Sequence, residues 1–145
     1  MTTTLLVAVD FEAASRRAVE LARELAAPLQ AELCLVHTYL LPVYTYPGLE
    51  PAVPAMFYGE ITAAATRALQ AFAAEVSVPR ALLREGDPAE TILATATEIH
   101  ATMIVMGTHG RRGLSHALLG SVAEKVVRGA HVPVLTVHAA PVEKS

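Results

Sequence analysis

The segment GTHGRRGLSHALLGS, residues 107–121, concentrates residue types able to hold an anion. Gly107 and Gly110 stand three apart, and Gly120-Ser121 follow after nine further residues. Glycine lets backbone approach a ligand closely and admits φ above zero, so successive N–H groups can converge on phosphate oxygens. Thr108 and His109 lie between the first two glycines; His109 reads first as an exposed loop histidine, and it alone of the histidines could touch a phosphate held there. Arg111 and Arg112 either add charge-assisted hydrogen bonds or stand solvated on a loop. Ser121-Val122-Ala123-Glu124 has the capping-box pattern and predicts a helix start, where free N–H groups and the positive dipole end favour an anion. A plainer reading runs beside this one: the glycines are turns, and the capping box accounts for Ser121 without any ligand.

The elements that must position this segment are legible from periodicity. Leu5 to Val9 is a short apolar run, and Ala14, Ala18, Leu21, Ala22 and Leu25 then fall on one helical face. Leu33 to Val36 is apolar at consecutive positions, as in a parallel strand covered on both faces, and ends near Thr38. Tyr39 to Gly59 holds four prolines and two glycines and reads as a long loop. Helical spacing returns from Glu60 to Val76, followed by a strand over Arg80 to Arg84. Asp87-Pro88-Ala89-Glu90 sets an N-cap acceptor, a proline at the first helical position and a glutamate at the third. That helix runs to about His100, Met103 to Met106 is the fourth strand, and Val134 to Val137 is the fifth.

Alternating strands and helices without hairpin signals predict one α/β domain over residues 1–145. Its five-stranded parallel sheet would have right-handed crossovers and helices on both faces. Such sheets bind ligands beyond their strand C-termini, at a topological switch point. Asp10, Thr38 and Gly107 all fall at strand C-termini and can line one crevice.

Composition narrows the function classes. Hydrophobic residues make up 53% of the chain, enough for a core, and the formal charge is −3 with eleven scattered Lys and Arg. No broad basic surface for nucleic acid is expected. Cys34 is the one cysteine and sits inside an apolar run, unlike a secreted disulfide framework. The N-terminal stretch has no basic n-region, and no run approaches the ~20 apolar residues of a bilayer span. The expectation is a soluble, cytoplasmic protein without membrane association.

Six histidines invite a metal reading, yet His109 and His116 have no HExxH or CxxC companion, so no metal-ligating set is assigned. His37 and His138 stand at strand ends and read as structural. There is no GxSxG elbow, GxxxxGK[ST] loop or GxGxxG fingerprint. No catalytic residue is assigned, and any hydrolysis of a bound phosphate compound is expected to be slow and incidental.

The pattern G-x2-G-x9-G-[S/T], the IVMG before it and the PVLTV after it resemble the universal stress protein family. LLVAVDF and ASRRA resemble that family's first strand and helix, and the similarity leaves out only the loop at 39–59. The resemblance implies a Rossmann-like fold binding an adenine nucleotide, ATP or AMP, with Mg²⁺ or Mn²⁺ accompanying the phosphates. Its implied contacts are Asp10 near ribose and adenine, the Thr38 backbone at the adenine edge, and Ala8 on the same strand wall. Gly107, Thr108, His109, Gly110, Arg111, Arg112, Gly120, Ser121 and Val122 would surround the phosphates. Glu12 departs from the family's usual serine and would repel a triphosphate unless a cation intervenes, or else favours the first turn of its helix. Thr102 departs from a common aspartate and reads as loop.

The implied role is a nucleotide-binding stress-response protein, a regulatory or signalling homodimer paired through Val134 to Val137. That run lacks the charges that blunt a free sheet edge. Two other readings remain: an ATP-independent dimeric interaction module whose glycines only shape the fold, and a slow ATPase.

Overall fold

In the computed structural model, residues 2–52, 55–108 and 119–139 are described. Among these residues, strands β1 (Thr4–Ala8), β2 (Glu32–Tyr39), β3 (Ala81–Glu85), β4 (Met103–Gly107) and β5 (Val134–Val137) alternate with four helices. These are α1 (Ala13–Leu29), α2 (Ala55–Glu75), α3 (Pro88–Glu98) and α4 (Ser121–Gly129). All four strand pairings are parallel, in the order β3-β2-β1-β4-β5. The expected parallel α/β sheet is therefore the observed one.

Two-residue periodicity divides each central strand between two cores. Leu6, Ala8, Cys34, Val36, Ile104 and Met106 pack with Ala89, Ile92 and Ala96 of α3 and with Ala123 and Val126 of α4. The intervening Val7, Val9, Leu35 and Val105 pack with Ala18, Val19 and Ala22 of α1 and with Leu69 and Phe72 of α2. Burial on both faces explains why β1, TLLVA, is buried at all five positions and reads as a continuous apolar run. The chain first steps from β1 outward through β2 to β3 with α1 and α2 on one face. It then returns past β1 to β4 and β5 with α3 and α4 on the other. The gap between the C-terminal ends of β1 and β4 is thus the switch point.

Two boundaries differ materially from the sequence expectation. Tyr39 belongs to β2, and α2 begins at Ala55 rather than Glu60, so the long connection is 40–54 instead of 39–59. Ala, Met and Phe before Gly59 tolerate helix well enough for the preceding turn to form, and Gly59, with open space around it, is carried inside the helix. Within the connection, Tyr44 and Ala52 exchange antiparallel backbone hydrogen bonds of 2.9 and 3.1 Å.

The Asp87 cap forms as its spacing predicts: its carboxylate accepts from Glu90 N–H at 3.0 Å with Pro88 at the helix start. The second capping box does not form. Gly120 is the N-cap of α4, Ser121 is its first helical residue, and among the described residues no side chain caps the helix. A serine already inside the first turn cannot reach its own N3 amide, so the pattern is displaced by one position.

Candidate functional site

A cleft of about 470 Å³ opens at the switch point, beyond the C-terminal ends of β1, β2 and β4. Eight predicted residues line it: Ala8, Asp10, Thr38, Gly107, Thr108, Gly120, Ser121 and Val122. His109, Gly110, Arg111 and Arg112 lie outside the described residues, as does His116. Its apolar walls also include Val36, Pro88, Ile92 and Met106, which sequence reasoning did not single out. A signal for them existed: Val36 shares a strand face with Thr38, and Ile92 sits one helical turn beyond Pro88.

Asp10 organises the entry to α1. Its Oδ1 accepts from Ser15 Oγ at 2.6 Å and from Glu12 N–H at 3.0 Å, while its own N–H donates to Ser15 Oγ at 2.8 Å. Asp10 thus starts the turn into α1, and it lines the cleft as well. Phe11 follows at φ 70°, a region that bulky residues enter only under constraint. Packing supplies that constraint. Its ring lies 4.3 Å from the His37 ring and 5.4 Å from Phe72, and its carbonyl accepts from Arg16 Nη1 at 2.6 Å. Arg16 is in turn paired bidentately with Glu75 of α2, both contacts at 3.1 Å, and holds that carboxyl below its usual range.

Glu12 is the N-cap residue of α1, two positions beyond the cleft-lining Asp10. His37 and His138 are engaged structurally: His37 Nδ1 stands 2.8 Å from the Val9 carbonyl, and His138 Nδ1 3.1 Å from Thr108 Oγ1. Thr102, at the opposite end of the sheet, donates to the Thr4 carbonyl through N–H and hydroxyl alike. Cys34 is fully buried, and desolvation pushes its thiol up, away from the reactive thiolate.

Gly107 is required by packing. A Cβ built on it would stand 2.7 Å from Ala14 Cβ, closer than two carbons can approach, so α1 crosses the end of β4 only because that position is bare. Its φ is not positive, nor is that of Gly120 at −65°. Gly107 therefore does not take up the left-handed backbone that glycine admits, and Gly110, the other glycine expected to shape the phosphate loop, lies outside the described residues. Gly120 N–H donates to the Thr108 carbonyl at 2.6 Å, which brings the N-terminus of α4 to the cleft wall.

The fold and cleft define a doubly wound α/β protein with a small-molecule-sized crevice at its switch point. Residues 1–138 match the universal stress protein family, and the chain belongs to that family. It is 39% identical over 136 residues to the universal stress protein in the QAH/OAS sulfhydrylase 3′ region of Thermus aquaticus, covering 92% of this chain and 97% of that one. Among solved structures, universal stress protein UspA from Lactobacillus plantarum superposes with a TM-score of 0.69 at 28% identity, over 93% of this chain and 97% of that one. A universal stress protein in complex with cAMP superposes with a TM-score of 0.59, also at 28% identity, over 96% and 98% of the two chains. Among the described residues no helix is long and apolar enough to cross a membrane.

Proposed function

We propose that the switch-point cleft binds an adenine nucleotide, ATP or AMP, and that the protein acts as a regulatory or signalling dimer in a stress response rather than as a turnover enzyme. The carrying observation is the meeting of three chemistries in one cleft: the N-terminus of α4, the Asp10 carboxylate and an apolar wall. The first amides of a helix have no intrahelical acceptor and lie at its positive end, which suits phosphate at Ser121 and Val122. Asp10 Oδ2 carries no hydrogen bond among the described residues and suits a ribose hydroxyl. Val36, Ile92 and Met106 suit a flat base, and about 470 Å³ falls within the usual range of small-ligand sites. The related structure in complex with cAMP supports the same ligand class.

A divalent cation, Mg²⁺ or Mn²⁺, would arrive with the phosphates. Asp10 already holds the start of α1, and His37 is engaged with the Val9 carbonyl, an arrangement that supports binding over acid–base turnover. A cytoplasmic setting belongs to the same reading, in keeping with a single buried thiol.

Protein stripped of small molecules by unfolding and refolding tests the ligand. A ligand bound only by the native state at a hundred times its Kd stabilises by about 2.7 kcal/mol. For a chain of this size that corresponds to a rise in Tm of roughly 5–10 °C. No shift with millimolar ATP or AMP, with or without Mg²⁺, would reject the reading, and steady phosphate release with a defined turnover would replace it with the slow ATPase.

The dimer rests on β5, which among the described residues is an edge strand paired to β4 alone. Pro133 and Val137 turn their carbonyls to β4, accepting from Ile104 and Thr108 at 3.0 and 2.9 Å. The alternation of a parallel ladder then directs the Thr136 N–H to the open edge, and His131 to His138 holds no Lys, Arg, Asp or Glu. Thr136→Pro removes that outward donor while leaving the β4 ladder intact, and is expected to weaken dimerisation at least tenfold. Light scattering at high micromolar concentration decides it: a monomeric wild type, or an unaffected variant dimer, rules this interface out.

A further inference from the structure

Thr108 is 2% exposed, and among the described residues hydrogen bonds with β5, His138 and Gly120 meet on it. Its N–H donates to the Val137 carbonyl at 2.9 Å, its carbonyl accepts from Gly120 N–H at 2.6 Å, and its Oγ1 stands 3.1 Å from His138 Nδ1. Val137 ends β5 and His138 follows it; Gly120 is the N-cap of α4 and lines the cleft. A continuous hydrogen-bonded path therefore runs from the edge strand through Thr108 to the helix N-terminus at the cleft. The path joins residues 30 apart in sequence.

We infer that His138 is a positioning residue, and that the Thr108–His138 pair couples the cleft to edge strand β5. The inference rests on the nucleotide reading given above. A hydroxyl in a desolvated place loses more when its partner is removed than an exposed one does. His138 itself is exposed, so replacing it disturbs no core. Without the His138 contact, Thr108 keeps its backbone bonds to Val137 and Gly120 but loses one side-chain restraint on where it presents its carbonyl to Gly120. The amides of Ser121 and Val122 are then less well pre-set for a ligand, and binding must supply that ordering. Coupling is reciprocal, so a ligand that steadies the start of α4 also steadies the end of β5. Whatever pairs with the β5 edge tightens the cleft by the same factor.

The test measures ATP and AMP affinity by calorimetry for wild type, His138→Leu, His138→Asn, Thr108→Val and the double variant Thr108→Val/His138→Leu, with amide exchange at Val137 and Gly120. His138→Leu is expected to weaken binding about threefold to tenfold, the range one hydrogen bond spans. Its ligand-free Tm should stay within a few degrees of wild type. Asparagine can place a polar atom where Nδ1 stood, so His138→Asn should recover most of the affinity. The double variant should bind no worse than Thr108→Val alone, as expected when two changes break one interaction. Nucleotide should slow exchange at Val137 in wild type and fail to do so in His138→Leu. Equal affinities for wild type and His138→Leu, or additive losses in the double variant, overturn the coupling while leaving nucleotide binding intact. A wild type that binds neither nucleotide removes the underlying reading, and this one with it.

Discussion

Leu6→Ala is expected to lower the unfolding free energy by about 3–5 kcal/mol, the range for deleting a fully buried leucine side chain. Leu6 has no exposed surface and lies on the central strand, in register with Cys34 on one side and Ile104 on the other. It belongs to the core between the sheet and helices α3 and α4, beneath the cleft floor formed by Ala8 and Met106. Strands held on both flanks cannot close in on the space left behind, so most of the cavity persists and the upper part of the range applies. Urea unfolding followed by circular dichroism measures it, with Tm expected to fall by roughly 10 °C or more. A loss below about 1 kcal/mol would contradict the two-sided packing of β1.

Gly107→Ala is expected to destabilise by about 1–3 kcal/mol through overpacking, despite being a small substitution beside an open cleft. The new Cβ would meet Ala14 Cβ at 2.7 Å, and the Ala14 carbonyl carbon follows at 3.5 Å, so relief requires a backbone shift. Removing the opposing methyl tests the cause directly. Ala14→Gly alone should cost up to about 1 kcal/mol as a glycine in a helix. The double variant Ala14→Gly/Gly107→Ala should be distinctly more stable than the sum of the single losses predicts. Strict additivity would show that Gly107 is bare for another reason. Because the contact also sets α1 against the end of β4, Gly107→Ala should weaken nucleotide binding too, and the double variant should regain part of it.

Much of the site was legible because its residues are marked by local physics. Asp10 and Gly107 end apolar runs, Thr38 stands near the end of another, and Gly120 precedes a strongly amphipathic helix. Strand ends in a parallel sheet converge on one side, so these positions meet once the sheet forms. Other features left little local trace. Ser15 shares the Asp10 network at 2.6 Å, but a serine early in a helix has many ordinary uses. The strained Phe11 backbone is sustained by His37, Phe72 and an Arg16–Glu75 pair drawn from β2, α1 and α2, none adjacent to it in the chain.

Sequence by itself determined the alternation of five strands with helices, the two-faced burial of the central strands, the Asp87 cap and the family resemblance. Each depends on side-chain periodicity or on residues within a turn of one another, which a linear reading can count. Only the tertiary structure decided that Gly107 is bare because Ala14 crosses it, and that Gly120 rather than Ser121 caps α4. It also decided that Thr108 is held by His138 across 30 residues. Those outcomes depend on how closely separate elements approach, to within a few tenths of an ångström. Close packing sets such distances for the whole core at once, and no single segment encodes them.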